Sequence, residues 1–170
     1  MEIRIEVFQP EHAPAFDALN RAWLVDHGLL EPADEEHLTD PWNSILVPGG
    51  QIFVAIRDEE VIGTCAVVPQ HLVPLPRNGD TPGGRVAEIV KLVVAPAARG
   101  QGLGRRLVAA CLAHARQHGV RRVVLLSSTR LGSALKLYEA MGFQHRPLPP
   151  DIPYATADVY MEMELAEPAG

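Results

Sequence analysis

Between residues 95 and 107 the chain reads APAARGQGLGRRL, with three glycines and three arginines where an apolar run gives way to a helical pattern. The start of a helix presents several unpaired backbone N–H groups and the positive end of the helix dipole. Glycines let the chain pass close to a ligand, so those N–H groups can converge on phosphate oxygens. Arg99, Arg105 and Arg106 add charge at the same place. Spacing separates the nucleotide-binding turns. A P-loop needs Gly-Lys-Ser/Thr at its end, which the turn lacks. The pattern G-x-G-x-x-G would need glycine at 105 or 107, where Arg105 and Leu107 stand.

Two further residues have chemistry to spare. Glu88 sits in Ala87-Glu88-Ile89-Val90, inside an apolar run, and a carboxylate there is costly to bury unless it is paired or faces a cavity. An arginine is one candidate partner. Lys91 is not expected to be one, because three residues along a regular strand lie on opposite faces. Tyr138 belongs to the stripe Ala134, Leu137, Tyr138, Met141, so it faces the body of the protein and needs a partner for its hydroxyl. His114 and His118 have a spacing that can bind metal, but with no third ligand nearby they read as a helix edge, and no metal site is expected.

The elements that would position these groups are legible from periodicity. Ile3, Ile5 and Val7 alternate with polar residues as a half-buried strand, and a helical region runs from about Glu11 to Leu30. The acidic run Glu31 to Glu36 leads into a short second helix, and a charge run of this kind is usually a solvated surface. Residues 52–56 and 61–68 form a hairpin about Asp58-Glu59-Glu60. Residues 69–84, rich in proline and glycine, form a loop. Arg85 to Val94 is a central strand, Leu103 to His118 a helix, Val123 to Leu126 a buried strand, and Gly132 to Met141 a helix capped by Gly142. A proline-rich loop and a strand from Val159 to Leu165 close the chain. The order is β-α-α-β-β-β-α-β-α-β in a single α+β domain spanning residues 1–170.

Composition sets limits. With 170 residues, 47% hydrophobic, and a net charge of −6, the chain has the makings of one globular core and lacks the basic surplus of a general nucleic-acid binder. No apolar run is long enough for a bilayer and the N-terminus does not resemble a signal peptide, so a cytoplasmic protein without membrane contact is expected. Cys65 and Cys111 read as small apolar core residues.

Arg99-Gly100-Gln101-Gly102-Leu103-Gly104 matches the pattern R/Q-x-x-G-x-G/A, and Ala134-Leu135-Lys136-Leu137-Tyr138-Glu139-Ala140-Met141-Gly142-Phe143 matches A-x-x-L-Y-x-x-x-G-F. Together with the element order, these segments resemble the GNAT superfamily of acyl-CoA-dependent N-acyltransferases over nearly the whole chain. The resemblance implies a central mixed sheet of six to seven strands with helices on both faces. It implies acetyl-CoA as cosubstrate, with pantetheine along Leu92, Val93 and Val94. The diphosphate would lie on the N–H groups of Arg99, Gly100, Gln101, Gly102, Leu103 and Gly104, with Arg105 close by. Many members carry Asn where this chain has Leu131, so that contact is missing or comes from Ser127, Ser128 or Ser133.

Acetyl transfer to an amine needs a base for the amine, whose pKa in a lysine-like group is about 10.4, and an acid for a thiolate with a pKa near 8.5. The resemblance implies Tyr138 as the acid and Glu88 as the base, against core packing for Tyr138 and ion pairing for Glu88. It implies an enzyme working by direct attack on a small-molecule or peptide amine. A homodimer through the closing strand is open, as is a non-catalytic acyl-CoA sensor on the same fold. Residues 11–47 and the loops 69–84 and 145–157 would choose the acceptor; the acidic run Glu31 to Glu36 borders that site in the family and could attract a cationic amine, and Tyr154 would line the cleft.

Overall fold

The computed structural model describes residues 2–69 and 85–165. Its strands are β1 (Arg4–Val7), β2 (Gln51–Arg57), β3 (Glu60–Pro69), β4 (Arg85–Val94), β5 (Val120–Ser127), β6 (Gln144–Arg146) and β7 (Val159–Glu164). The helices are α1 (Ala13–Asp26), α2 (Glu35–Thr39), α3 (Leu103–Gln117) and α4 (Gly132–Met141). The strands form one seven-stranded sheet in the order β1-β2-β3-β4-β5-β7-β6. Only β4 and β5 run parallel, and every other pair is antiparallel.

The element order agrees with the sequence-based expectation except for β6. That strand is three exposed residues at the sheet edge, too short to carry an alternation signal. The hairpin between β2 and β3 turns on Asp58 and Glu59, both at positive φ (51° and 66°), as a two-residue turn matched to strand twist requires. The loop expected over residues 69–84 lies outside the described residues from 70 onward. Among the described residues no helix is long and apolar enough to cross a membrane.

Alternation divides the core between the sheet's two faces. Ile52, Val54 and Ile56 of β2 join Phe16 of α1 and Leu38 of α2 on one side. Ala55 joins Leu107, Val108 and Cys111 of α3 on the other, together with Cys65, Val123, Leu125 and Met161. Cys65 and Cys111 are both free and fully buried, as expected of core residues. Burial of whole aliphatic and aromatic side chains on both faces is worth roughly 1.5–3 kcal/mol each.

In β4 this alternation breaks. Ala87 and Ile89 face the α3 side and Val90 faces the α1 side, as a regular strand demands. Beyond Lys91 the parity inverts, so that Leu92 and Val94 face the α3 side. Lys91 itself stands at φ 56°, a conformation that costs a non-glycine residue roughly 1–2 kcal/mol. The pairing with β3 jumps at the same point, from Ala66↔Val90 to Thr64↔Val93, which is the extra residue of a β-bulge. A buried chain of side-chain bonds braces it. Asn20 Nδ2 donates to Thr64 Oγ1 at 3.0 Å, and Thr64 Oγ1 donates to the Lys91 carbonyl at 2.8 Å.

Candidate functional site

The parallel pair β4–β5 is short. The two strands are in register only from Arg85↔Val120 to Glu88↔Val124, and beyond Glu88 the β4 edge that faced β5 has no strand partner. A cavity of about 130 Å³ opens at this gap, lined from β4 by Glu88 to Leu92, from β5 by Leu126 and Ser127, and from α4 by Ala134 and Tyr138. Because Glu88 points to the α1 side and Tyr138 belongs to the core on the α3 side, the cavity joins the two faces through the sheet.

Glu88 is 2% exposed, and its Oε1 has no hydrogen-bond partner. Neither an arginine nor a lysine pairs with it among the described residues. Burial pushes its carboxyl up to about 7, while the Lys91 ammonium pulls in the opposite direction. Here the expectation for Lys91 is corrected. It was assigned to the opposite face on regular alternation, and the bulge turns it onto the face of Glu88, where both line the cavity. Its ammonium bonds Asp34 Oδ1, and the two side chains are only 7% and 3% exposed. The Tyr154 ring lies beneath Lys91 Nζ, 5.8 Å from the centroid.

The acidic run is likewise more than a solvated surface. Asp34 is buried and also accepts the Glu31 N–H at 2.8 Å through Oδ2. The Glu31 carboxylate accepts the N–H groups of Ala155 (2.7 Å) and Thr156 (3.1 Å) and the Thr156 hydroxyl (2.5 Å). Burial alone would raise the Glu31 carboxyl, but these bonds outweigh it and hold it below the usual range. They clamp the loop after α1 to the loop before β7. Only Glu35, bonded to Arg21, and Glu36 stay exposed as the run suggested.

Tyr138 is 7% exposed and packs edge-on against Phe143 with centroids 5.8 Å apart; its carbonyl accepts the Phe143 N–H at 3.0 Å, while its hydroxyl makes no hydrogen bond to another described residue. Burial holds its hydroxyl well above the ordinary tyrosine range, and the nearby Cys65 and Cys111 thiols add to that. It remains a neutral donor at any physiological pH. Tyr154 lines the cavity as the sequence suggested, its hydroxyl raised by burial and by Asp34, Glu88 and Glu31.

At the glycine turn, α3 begins after Gly102, whose φ of 76° excludes most side chains and which makes no side-chain cap bond. The first backbone acceptor within the helix serves Arg106 N, so the N–H groups before it have no intrahelical partner. A Cβ on Gly100 or Gly102 would meet nothing within 4 Å, so the turn is open on its outer side. Gly104 answers a different need, since a Cβ there would approach Leu137 Cδ2 of α4 to 3.1 Å. Leu103 is buried and offers the turn only its backbone, while Gln101 and Arg105 are exposed. Arg99 Nε donates to the Val94 carbonyl at 3.2 Å, beside the turn. Arg106 is turned away to the Ile3 carbonyl, so its charge is directed elsewhere.

Leu131 stands at the N-cap of α4 without a side-chain cap bond and lines the cavity beside Ser127 and Ser128. The Ser128 hydroxyl accepts the Arg130 N–H at 3.2 Å. The rings of His114 and His118 stack with centroids 4.1 Å apart, and His118 Nδ1 lies 2.8 Å from the His114 carbonyl, well away from the gap. Asn20, Trp23 and Asp34 fall within residues 11–47 and Thr156 within the loop 145–157, the regions expected to choose the acceptor, although sequence reasoning did not single them out individually. Asp34 alone left a trace, three residues beyond Glu31 at the start of a proline-led turn.

The chain thus forms an α+β fold with an open mixed sheet, split at its one parallel pair and followed by a glycine-rich helix start. The structure superposes on an acetyltransferase of the GNAT family from Staphylococcus aureus Mu50 with a TM-score of 0.80 at 16% identity, covering 97% of this chain and 100% of that one. It superposes on yncA from Salmonella typhimurium, solved with acetyl-CoA, with a TM-score of 0.74 at 17% identity, covering 99% and 96%. In sequence it is 31% identical over 146 residues to a mycothiol acetyltransferase of Thermobispora bispora, covering 83% of this chain and 46% of that protein. The chain spans about half the length of the curated relatives it matches. The model of the acetyltransferase (GNAT) family matches residues 13–143, and the chain belongs to that family.

Proposed function

We propose that the protein transfers an acetyl group from acetyl-CoA to the nitrogen of an amine at the gap between β4 and β5. The observation that carries this reading is the unpartnered, buried Glu88 carboxyl on one side of the split sheet, with a neutral Tyr138 hydroxyl on the other and a cavity joining them. Family membership and the solved relative with acetyl-CoA support the cosubstrate.

The residues present suit that cosubstrate. In the turn Arg99-Gly100-Gln101-Gly102-Leu103-Gly104 the Arg99 N–H is taken by the Pro96 carbonyl at 3.4 Å, and the N–H groups at the start of α3 suit a diphosphate, with the Arg99 and Arg105 side chains as its cations. The unpaired β4 edge along Leu92, Val93 and Val94 offers backbone donors and acceptors to an amide-bearing chain such as pantetheine. Leu131 gives only apolar contact where a polar side chain is common in the family, and Ser127 is the neighbouring hydroxyl in the cavity.

Acetyl-CoA supplies the thioester carbonyl. Glu88 accepts the proton that the amine loses as the new N–C bond forms. Tyr138 donates its hydroxyl proton to the sulfur as the C–S bond breaks, so coenzyme A leaves as the free thiol, and the tyrosinate then regains a proton from solvent. Each role is worth on the order of 10²–10⁴-fold in rate. The alternative, a non-catalytic acyl-CoA sensor, has no use for a carboxylate buried without a partner.

Thiol release from acetyl-CoA with pooled amines tests the reading: amino acids, polyamines, aminoglycosides and lysine peptides. Release that depends on one pool supports it. No release from any pool, with coenzyme A binding measured on the same sample, favours the sensor.

A further inference from the structure

We propose, on the basis of the acetyl transfer argued above, that the acceptor is a primary amine on an apolar body with no carboxylate beside its nitrogen, and that the Asp34–Lys91 pair enforces this choice. Among the described residues lining the cavity, the charged groups are Asp34, Glu88 and Lys91. Lys91 is the one cation in that set, and it is already spent on Asp34, with both side chains buried. Arg130, outside the lining, is turned to the Gly28 carbonyl.

An incoming ammonium group meets Glu88, whose Oε1 is buried and has no partner. Among the described residues of the lining an incoming carboxylate meets no free cation, and it lies near Glu88. It can gain Lys91 only by displacing Asp34, which strands that carboxylate in a buried site. Either route leaves one buried negative charge uncompensated, and such a charge is strongly penalised. Trp23 and Leu24 of α1 and Leu29 beyond it give the lining an apolar portion that suits an alkyl or aryl body.

The pairing is possible only because of the bulge. With regular alternation Lys91 would face the α3 side, leaving the buried Asp34 carboxylate with the Glu31 N–H but without its cation. Asp34 acts here as a positioning residue through Lys91 and need not touch the substrate.

The test uses matched acceptors that differ by one carboxylate: 2-phenylethylamine with phenylalanine, and pentylamine with norleucine. Wild-type protein and Asp34→Asn are compared by thiol release from acetyl-CoA. For wild type, kcat/KM is expected to favour the carboxylate-free member by about 10²-fold or more. Asp34→Asn removes the competing carboxylate and should narrow that ratio at least tenfold, because Lys91 is then free to meet the substrate. A merely structural role for Asp34 would lower both members of a pair together and leave the ratio unchanged, which would overturn the assignment. Equal rates within a pair, or transfer only to the carboxylate-bearing members, would overturn the substrate class while leaving acetyl transfer intact. No thiol release with any amine, with coenzyme A binding retained, would remove the underlying activity and this proposal with it. Should Asp34→Asn fail to fold, the wild-type ratio alone decides.

Discussion

Glu88 and Lys91 lie on the same face of β4 although they are three positions apart, because the strand takes one extra residue at Lys91. A bulge turns what would be a buried acid on one face and a buried base on the other into neighbours on one cavity wall. The ammonium is held by Asp34 and the carboxyl is left unpartnered. The cost is carried by the fold, through the strained φ of Lys91 and the desolvated carboxyl of Glu88.

That cost should be measurable. Glu88 ionises near 4.5 in the unfolded chain and at about 7 when buried, so the folded state holds an extra proton between those values. Stability therefore falls as pH rises from about 4.5 to 7 and stays reduced above that. Replacing the carboxyl with a neutral amide removes the penalty. Glu88→Gln is expected to be more stable than wild type at pH 8 by about 3 kcal/mol, and similar at pH 4.5. Denaturant unfolding at the two pH values checks this.

If Glu88 is the base, as proposed, it also sets the pH dependence of acetyl transfer. A base must be ionised to accept the amine proton, so kcat/KM should rise with pH through an apparent pKa of about 7. Facing Glu88 are Lys91, which lowers its pKa, and the hydroxyls of Tyr154 and Tyr160, which remain neutral in this range. A pH–rate profile of wild type beside Glu88→Gln is the check, and the variant should lose the limb near 7 along with most of its turnover.

Tyr138→Phe keeps the ring against Phe143 and deletes the hydroxyl. The expected result is a fall in kcat of about 10²-fold with unchanged affinity for coenzyme A. Calorimetry of coenzyme A binding, run beside steady-state kinetics, separates the two effects. A matched loss of binding would return Tyr138 to a packing role.

At the turn, Gly102→Ala places a side chain at φ 76° without any clash within 4 Å. Folding should lose about 1 kcal/mol from the backbone alone. Coenzyme A affinity should fall as well, since relieving that strain redirects the N–H groups at the start of α3. Thermal unfolding with and without coenzyme A reads both.

Much of this was legible in the sequence because the relevant signals are local. Periodicity marks α1, α3, α4 and the long strands. The glycine turn stood out as a helix start, while the role given to Tyr138 came from the resemblance, since its place in the stripe Ala134, Leu137, Tyr138, Met141 by itself pointed to core packing. Glu88 stood out because a carboxylate is out of place in an apolar run. What escaped depends on contacts distant in the chain. The bulge at Lys91 has no glycine to announce it, and its brace runs from Asn20 through Thr64. The burial of Asp34 follows from a lysine 57 positions away. Glu31 looked like one more surface acid, yet it is spent on Ala155 and Thr156, 124 and 125 residues downstream. No window of sequence contains both halves of such an interaction.

The most direct test of the account is mass spectrometric detection of the acetylated amine after incubation with acetyl-CoA, for wild type, Glu88→Gln and Tyr138→Phe. The account predicts an N-acetylated product that forms with the wild type and is sharply reduced in both variants, while all three bind coenzyme A. Binding by all three with no acetylated product from the wild type, or product formed equally by all three, would contradict it.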